Sequence, residues 1–549
     1  MSKNSVVVIS HAPRLDYLTD YVALPANYGT PAYDARQDVR AIQATVYENL
    51  SKLNAETGFV REIENRKVIL KPNLVVPYHK FGYKDDNYPE TTDPRVFDAV
   101  VSFIYQFTRN IVIVESSGRG MPTRSSFKIT GFDRISRRYH TQLTALEEQA
   151  LDRYILPKAR VMKEVHIPQI FSEVVRGEAF YISIPKLKTN LYTGVTLSFK
   201  NAMGILPYNL RQKNHNYQIN FKLVDLLYLF KPNLVIIDGI IGGEGNTPAP
   251  VDPVRSHVII SGNNSVETDR VATRMMGIDP ETIELMTDAC QRGFGDQSVK
   301  VIGTEIVTHF RQADSSLLSE QFKKQFPNVL FLVGHTVNRS PAFERLDQIT
   351  PEVVKNIEKA CVGGCLAATR EGFDMYCYQD LDCSFKVAVI LGAGTRVGDQ
   401  KYYFSSAGTP YSMEDIRNLK MKKFGMGSCT QALKEIVDEF APGCMPKPMT
   451  ALNALYRLSG QKSKIVSLQN KHMLNILIET VKLRAMRVKM TRQGVWVDTL
   501  PAYSDDSASS IPELSEADRL KDFIVWPMPK LEGKEKEELL RDVNVLITP

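Results

Sequence analysis

The first part of the chain alternates short, strongly apolar runs with helix-like segments, and this rhythm constrains the fold more than any other feature. RKVILKPNLVVP reads as a strand entering a loop, PRVFDAVVSFIYQF as a helix, and NIVIVESSGRG as a strand ending in a glycine turn. AFYISIPKLK, PNLVIIDGIIGGEGN and SHVIISGNN continue the series, and VETDRVATRMMG is again a helix. Apolar strands separated by helices predict an α/β fold: a mostly parallel or mixed sheet with flanking helices.

At 549 residues the chain exceeds one ordinary domain. We read an α/β domain over 1–345 and a smaller cysteine-bearing α/β unit over 346–460, where PEVVKNIEKA, FKVAVILGAG and PGCMPKPMTALNALYRLSG supply helix, strand, and loop with helix. A helical C-terminal tail over 461–549 opens on KHMLNILIETVKLRAMRVKM, a basic amphipathic helix, and continues into the acidic, serine-rich SDDSASSIPELSE. Docking against the body is the expected fate of that helix, with contact to a membrane surface as the alternative. No run of about 18 uninterrupted apolar residues occurs, so no membrane span is expected. The apolar run Val6–Ile9 reads as a first strand, not as a signal peptide, and a cytoplasmic location follows. A net charge of +6 without a continuous basic stripe argues against nucleic acid as a partner.

Ligands of open α/β sheets bind at the carboxyl ends of strands. KPNL at Lys71, TTDP at Thr91, PKLKTN at Pro185 and DGIIGGEGN at Asp238 all deliver polar groups to such an edge. Lys71, Lys186, Lys188 and Lys200 bring positive charge. Asn73, Thr91, Thr92, Thr189, Asn190 and Asn201 bring hydrogen bonds, and Gly242, Gly243 and Gly245 allow close backbone approach. Such a set suits a small anionic substrate, phosphate or carboxylate, although each lysine alone reads equally as a solvated strand end. Neither a Walker pattern nor GxGxxG is present, so a nucleotide is not implied. Asp238, Glu244 and Asp269 are carboxylates that can orient the lysines, hold magnesium or act as a base; Asp269 also fits a charge at a helix start. His215, in RQKNHN, is a further acid or base, and Lys186, Lys188, His215 and Asp238 form the catalytic candidates.

KPNL, TTDP, PKLKT, FKNAMGILP, IIDGIIGGEGN and SVETDRVATRMMGID, in this order over Val68 to Asp279, resemble the family catalogued as domain of unknown function 362. Two departures stand out. The family commonly has histidine after KLKT, where this chain has Asn190, and a glycine-proline turn where this chain reads NTPAPVDP. Any chemistry carried by that histidine in relatives is altered here.

Six of the seven cysteines fall between Cys361 and Cys444. CVGGC at Cys361 and Cys365, GSC at Cys429 and PGCMPKP at Cys444 place thiols beside glycines, which suits a 4Fe-4S cluster. Tetrahedral zinc is the rival, buried cysteines without metal the plain alternative, and Cys377 and Cys383 are substitute ligands. The arrangement distantly resembles the proximal-cluster motif of nickel-iron hydrogenase small subunits, with Met445 replacing a proline of that motif. Many relatives in family 362 carry a similar cysteine region, which the resemblance extends to this chain. The first functional reading is an iron-sulfur oxidoreductase acting on a small anion. Nothing resembles a flavin or nicotinamide site, so electrons would come from a ferredoxin-like donor. A cluster-bearing assembly or scaffold protein and a divalent-cation hydrolase or transferase with structural zinc are the alternatives.

Overall fold

The computed structural model describes residues 5–17, 22–80, 89–118, 121–207, 210–211, 218–296, 298–336, 342–359, 362–444, 446–464, 470–496 and 513–528. His215 and Cys361 lie outside them. The chain divides into two compact units, one of residues 1–80, 87–312 and 468–549, the other of residues 81–86 and 313–467.

The main sheet of the first unit is mixed. Its strands are β1 (Ser5–His11), β2 (Lys67–Pro72), β3 (Ile111–Glu115), β4 (Gln142–Ala145), β5 (Ala179–Ile184), β6 (Lys186–Asn190), β7 (Leu234–Glu244), β8 (Val258–Gly262) and β9 (Val299–Ile302). They lie in the order β9-β1-β8-β7-β5-β2-β3-β4, with β6 pairing on β7. The block β7, β5, β2, β3, β4 is parallel, and β8 runs antiparallel to both β7 and β1. Alternate residues feed two cores. Val7, Ile69, Val112, Val235 and Ile237 face one, while Val8, Leu70, Ile113, Leu234 and Ile236 face the other. That double burial is why the strands read as unbroken apolar runs.

Helices cover both faces: α1 (Gln37–Thr57), α2 (Pro94–Ile104), α3 (Thr123–Thr130), α4 (Leu197–Asn201) and α5 (Ser265–Met275). Two of their starts matter for the site. Asp93 caps α2, its carboxylate accepting from Arg95 N at 2.9 Å with Pro94 in the first turn, so TTDP is fixed against the sheet edge. The start of α4 is capped from another helix: the Asp269 carboxylate of α5 accepts from the N–H groups of Ser198 and Phe199, each at 3.0 Å. Burial pushes that carboxyl up to about 7.

The second unit is α/β as well. Its strands β10 (Val329–Val333), β11 (Val387–Leu391), β12 (Lys422–Met426) and β13 (Glu439–Ala441) run parallel to their neighbours in that order. The helix α6 (Ala367–Cys377) follows Cys365 and belongs to the same unit.

The tail helix α7 (Met473–Arg492) docks on the first unit. Met490 and Trp496 join Leu151 and Leu210 in a small buried cluster, and the Arg487 guanidinium lies 5.3 Å from the Trp496 ring centre. Lys482, Lys489 and Arg492 are exposed, as basic residues on a polar side should be, but the expected amphipathic division is otherwise not realised. Glu479 and Arg487 are buried, while Leu474, Leu477, Ile478 and Val481 are exposed. No described helix is long and apolar enough to cross a membrane.

Candidate functional site

The carboxyl ends of β2, β3 and β5 lie along one edge of the parallel block, and the chain gathers buried charge there. Lys71, next to the end of β2, is fully buried; its ammonium donates to Asn201 Oδ1 at 2.7 Å, Glu115 Oε2 at 3.1 Å and the Pro72 carbonyl at 3.0 Å. Glu115 ends β3 and also accepts from Leu74 N at 3.1 Å and Ser116 N at 2.8 Å. Asn201 returns its amide to Ser183 Oγ at 2.9 Å and the Lys71 carbonyl at 3.3 Å. Burial lowers the Lys71 pKa to about 8 against the opposing pull of Glu115. Gly204 closes over this pair: a Cβ there would collide with Glu115 Oε1 and come within 2.7 Å of Lys71 Nζ.

Lys186 and Lys188 occupy alternate positions of β6, the short strand that continues β5 past Pro185. Lys186 pairs with Asp238 at 2.9 Å, both buried. Asp238 also accepts from Asp93 N at 2.7 Å and Ile240 N at 3.2 Å, and burial raises its pKa while Lys186 opposes the rise. Lys188, in register with Gly243, donates to the backbone carbonyl of Glu90 at 2.5 Å and has no carboxylate in hydrogen-bond reach among the described residues. Burial, reinforced by Lys200 and Lys186, brings its pKa down to about 7 even though Glu90 pulls it up. Half-buried Lys200 makes no hydrogen bond or ion pair through its ammonium with the described residues, and burial beside Arg211 brings it to about 7 as well. Arg211 donates to the carbonyls of Met203 at 3.0 Å and Ser116 at 2.7 Å, which ties it to the same loops.

The same loops bury polar atoms that lack a hydrogen-bond partner. His79 Nδ1 and Glu90 Oε1 are 2.5 Å apart, yet His79 Nε2 and Glu90 Oε2 are unpartnered. So are Thr91 Oγ1, Asn73 Oδ1 and Ser116 Oγ. A group of five such atoms beside lysines calls for a ligand or water, because unmet buried polar groups are costly.

Other sequence-derived residues serve the frame. Thr92 bridges Asn73 N at 2.8 Å and the Ile184 carbonyl at 2.8 Å. Thr189 donates to the Gly245 carbonyl at 2.8 Å, and Asn190 folds its own turn, accepting from Tyr192 N at 2.9 Å and Thr193 N at 3.1 Å. Glu244 accepts from Arg311 N at 2.7 Å. It stands six residues from Asp238 on one strand, whose register against β6 shifts between Asp238 and Gly243. His79, Glu90, Glu115, Ser116 and Arg211 were absent from the sequence inventory. Glu115 had a signal there: a carboxylate terminating the wholly apolar IVIV run.

In the second unit, Cys365 and Cys429 line one cavity together with Gly334, Gly392 and Glu358, at the carboxyl ends of β10 and β11. Gly427 has φ +89°, and a Cβ there would run into the Cys365 sulfur. Reciprocal bonds, Ser428 N to the Gly443 carbonyl at 3.0 Å and Gly443 N to Ser428 Oγ at 3.1 Å, tie the Cys429 loop to the residue preceding Cys444. Cys377 is separated from Cys365 by the length of α6, about 18 Å, and accepts from Gln325 at 2.8 Å. Among the described residues no three His, Cys, Asp or Glu side chains are arranged to hold a metal. Two thiols line the cavity, Cys365 from a helix start and Cys429 from a loop, with Gly427 where bulk would intrude on the Cys365 sulfur.

Residues 68–274 match the model of the family described as Domain of unknown function (DUF362), as the motifs implied. A thylakoid-associated protein of Synechocystis sp. is 30% identical over 112 residues, 19% of this chain and 35% of that protein. The chain thus spans about a third of the length of that curated relative. No solved structure matches.

Proposed function

We propose that this protein binds a small anion, phosphate or carboxylate, at the lysine edge of its first unit and acts on it as an iron-sulfur oxidoreductase. The observation that carries the reading is the division among the buried lysines. Lys71 and Lys186 are neutralised by Glu115 and Asp238, whereas among the described residues buried Lys188 and half-buried Lys200 have no carboxylate bonded to them. An arriving anion supplies the missing counter-charge, and the unpartnered hydroxyls of Thr91 and Ser116 donate hydrogen bonds to it.

Near pH 7 the two lysines sit close to their midpoints, so either can give up a proton to a reduced substrate or take one from it. His79, oriented by Glu90, adds a second proton-transfer group on the same loops. Cys365, Cys429 and Cys444, with Cys361 as fourth ligand, would hold the cluster, which supplies one-electron transfer when bound. The electrons come from an external donor of the ferredoxin class.

Anaerobic purification tests the redox half: the reading expects a brown protein, bleached by dithionite, with about four irons per chain. A colourless zinc protein overturns it. Phosphate and carboxylate binding to Lys188→Met and Lys200→Met tests the substrate half, with loss of binding at unchanged iron content expected. Undiminished binding in both variants removes the lysine edge as the site.

A further inference from the structure

The tail helix turns an apolar stripe toward solvent. Leu474, Leu477, Ile478 and Val481 are 70%, 45%, 45% and 61% exposed. Their spacing of i, i+3, i+4, i+7 places them on one side of α7. The opposite side, with Glu479, Leu483, Arg487 and Met490, is the buried one, so the stripe is left over after docking.

Apart from Ala485, the remaining exposed positions of the helix are basic. Lys482, Lys489 and Arg492 on the helix and Lys471 just ahead of it are exposed. Glu479 is the helix's sole carboxylate, is buried, and is paired with Lys482 at 3.0 Å. Apolar surface and the positive charge of Lys489 and Arg492 therefore share one outward face.

We propose that this face docks on an anionic lipid bilayer, with the four aliphatic side chains entering the headgroup boundary and the basic residues lying against lipid phosphates. Two further observations select a bilayer over a second copy of the chain. The exposed part of the four side chains equals about two whole aliphatic side chains, far below the roughly 800 Å² per partner of a stable protein pair. A purely basic flank also repels its own copy, whereas anionic headgroups complement it. The contact lies in the interface plane, because no described helix is long and apolar enough to cross. A small apolar stripe binds weakly alone, so charge is the needed second signal and salt weakens the contact.

Co-sedimentation of the full chain with vesicles of phosphatidylcholine, alone or mixed with phosphatidylglycerol, tests the proposal. Binding to the mixed vesicles only, reversed by high salt, is expected. Leu477→Glu with Ile478→Glu, and separately Lys489→Glu with Arg492→Glu, should each weaken it by about tenfold or more, with thermal midpoints unchanged because all four residues are exposed. A wild-type chain that stays in the supernatant with the mixed vesicles overturns the proposal, as does binding that survives in both variants. A dimer in solution that Leu477→Glu with Ile478→Glu converts to monomer also overturns it, assigning the stripe to a second copy.

Discussion

Lys188 donates its ammonium to the backbone carbonyl of Glu90 at 2.5 Å, and among the described residues no carboxylate comes within bonding reach of it. Two residues earlier on the same strand, Lys186 has the Asp238 carboxylate at 2.9 Å. The strand therefore carries one neutralised lysine and one that burial keeps close to losing its proton. Folding exacts a cost for the second, and that cost is measurable.

The Lys188 pKa is about 7 in the folded chain against 10.5 for a free lysine. Between these values the unfolded chain holds more protons than the folded one, so stability contributed by this group rises with pH. Lys188→Met removes the penalty. The variant should be more stable than wild type near neutrality by something on the order of 2–4 kcal/mol, with the gain shrinking to nothing by about pH 10.5. Urea midpoints of both proteins at about pH 7.5 and about pH 10 check this.

Anion binding should reverse the effect of burial on Lys188 and Lys200. A negative ligand favours their charged forms, so binding takes up protons above about pH 7 and weakens as pH rises further. Calorimetric titration with phosphate, in two buffers of different ionisation enthalpy, reads the uptake directly. Identical apparent enthalpies in the two buffers would rule out the coupling.

Glu115 holds the Lys71 charge in a site with no solvent exposure for the lysine. Glu115→Gln should destabilise by about 3–5 kcal/mol, because it leaves a buried cation without its counter-charge. Adding Lys71→Met should recover much of the loss, a coupling that a double-mutant cycle of denaturation midpoints measures.

Gly204→Ala places a methyl group against Glu115 and Lys71 at once. One of the two partners must move, which should cost about 1–3 kcal/mol and weaken phosphate binding together with it. A thermal midpoint within experimental error of wild type would show that the cradle yields without penalty.

The periodicity of the apolar runs fixed the strands in advance because each is buried on both faces, as Val7 and Val8 show by facing opposite cores. The lysines were legible because a charge between apolar runs is conspicuous. Their division into paired and unpaired was not, since it depends on Glu115 and Asp238 reaching them across 44 and 52 residues. His79 and Glu90 escaped notice for the same reason: neither sits in an apolar pattern, and only the fold aligns them. Asn190 stood out as a departure from the family, and the structure gives it a turn-forming task, with its side-chain oxygen capping Tyr192 and Thr193. The sequence left six clustered cysteines as ligand candidates; the α6 helix separates Cys377 from Cys365 and narrows them.

That separation makes the cysteines individually testable. Cys365 and Cys429 share a cavity, and Cys444 follows the loop tied to Ser428, whereas Cys377 bonds to Gln325 at the far end of α6. Cys290 belongs to the first unit altogether. Serine at Cys365, Cys429 or Cys444 should therefore abolish or sharply reduce the iron content and visible absorbance of anaerobically purified protein. Serine at Cys377 or Cys290 should leave both unchanged. Removing the metal with a chelator should lower the thermal midpoint of the wild type and of the Cys290 and Cys377 variants alike, and leave that of Cys365→Ser where it was, because binding stabilises only a chain that can bind. Equal iron in all five variants would exclude the cavity as the cluster site.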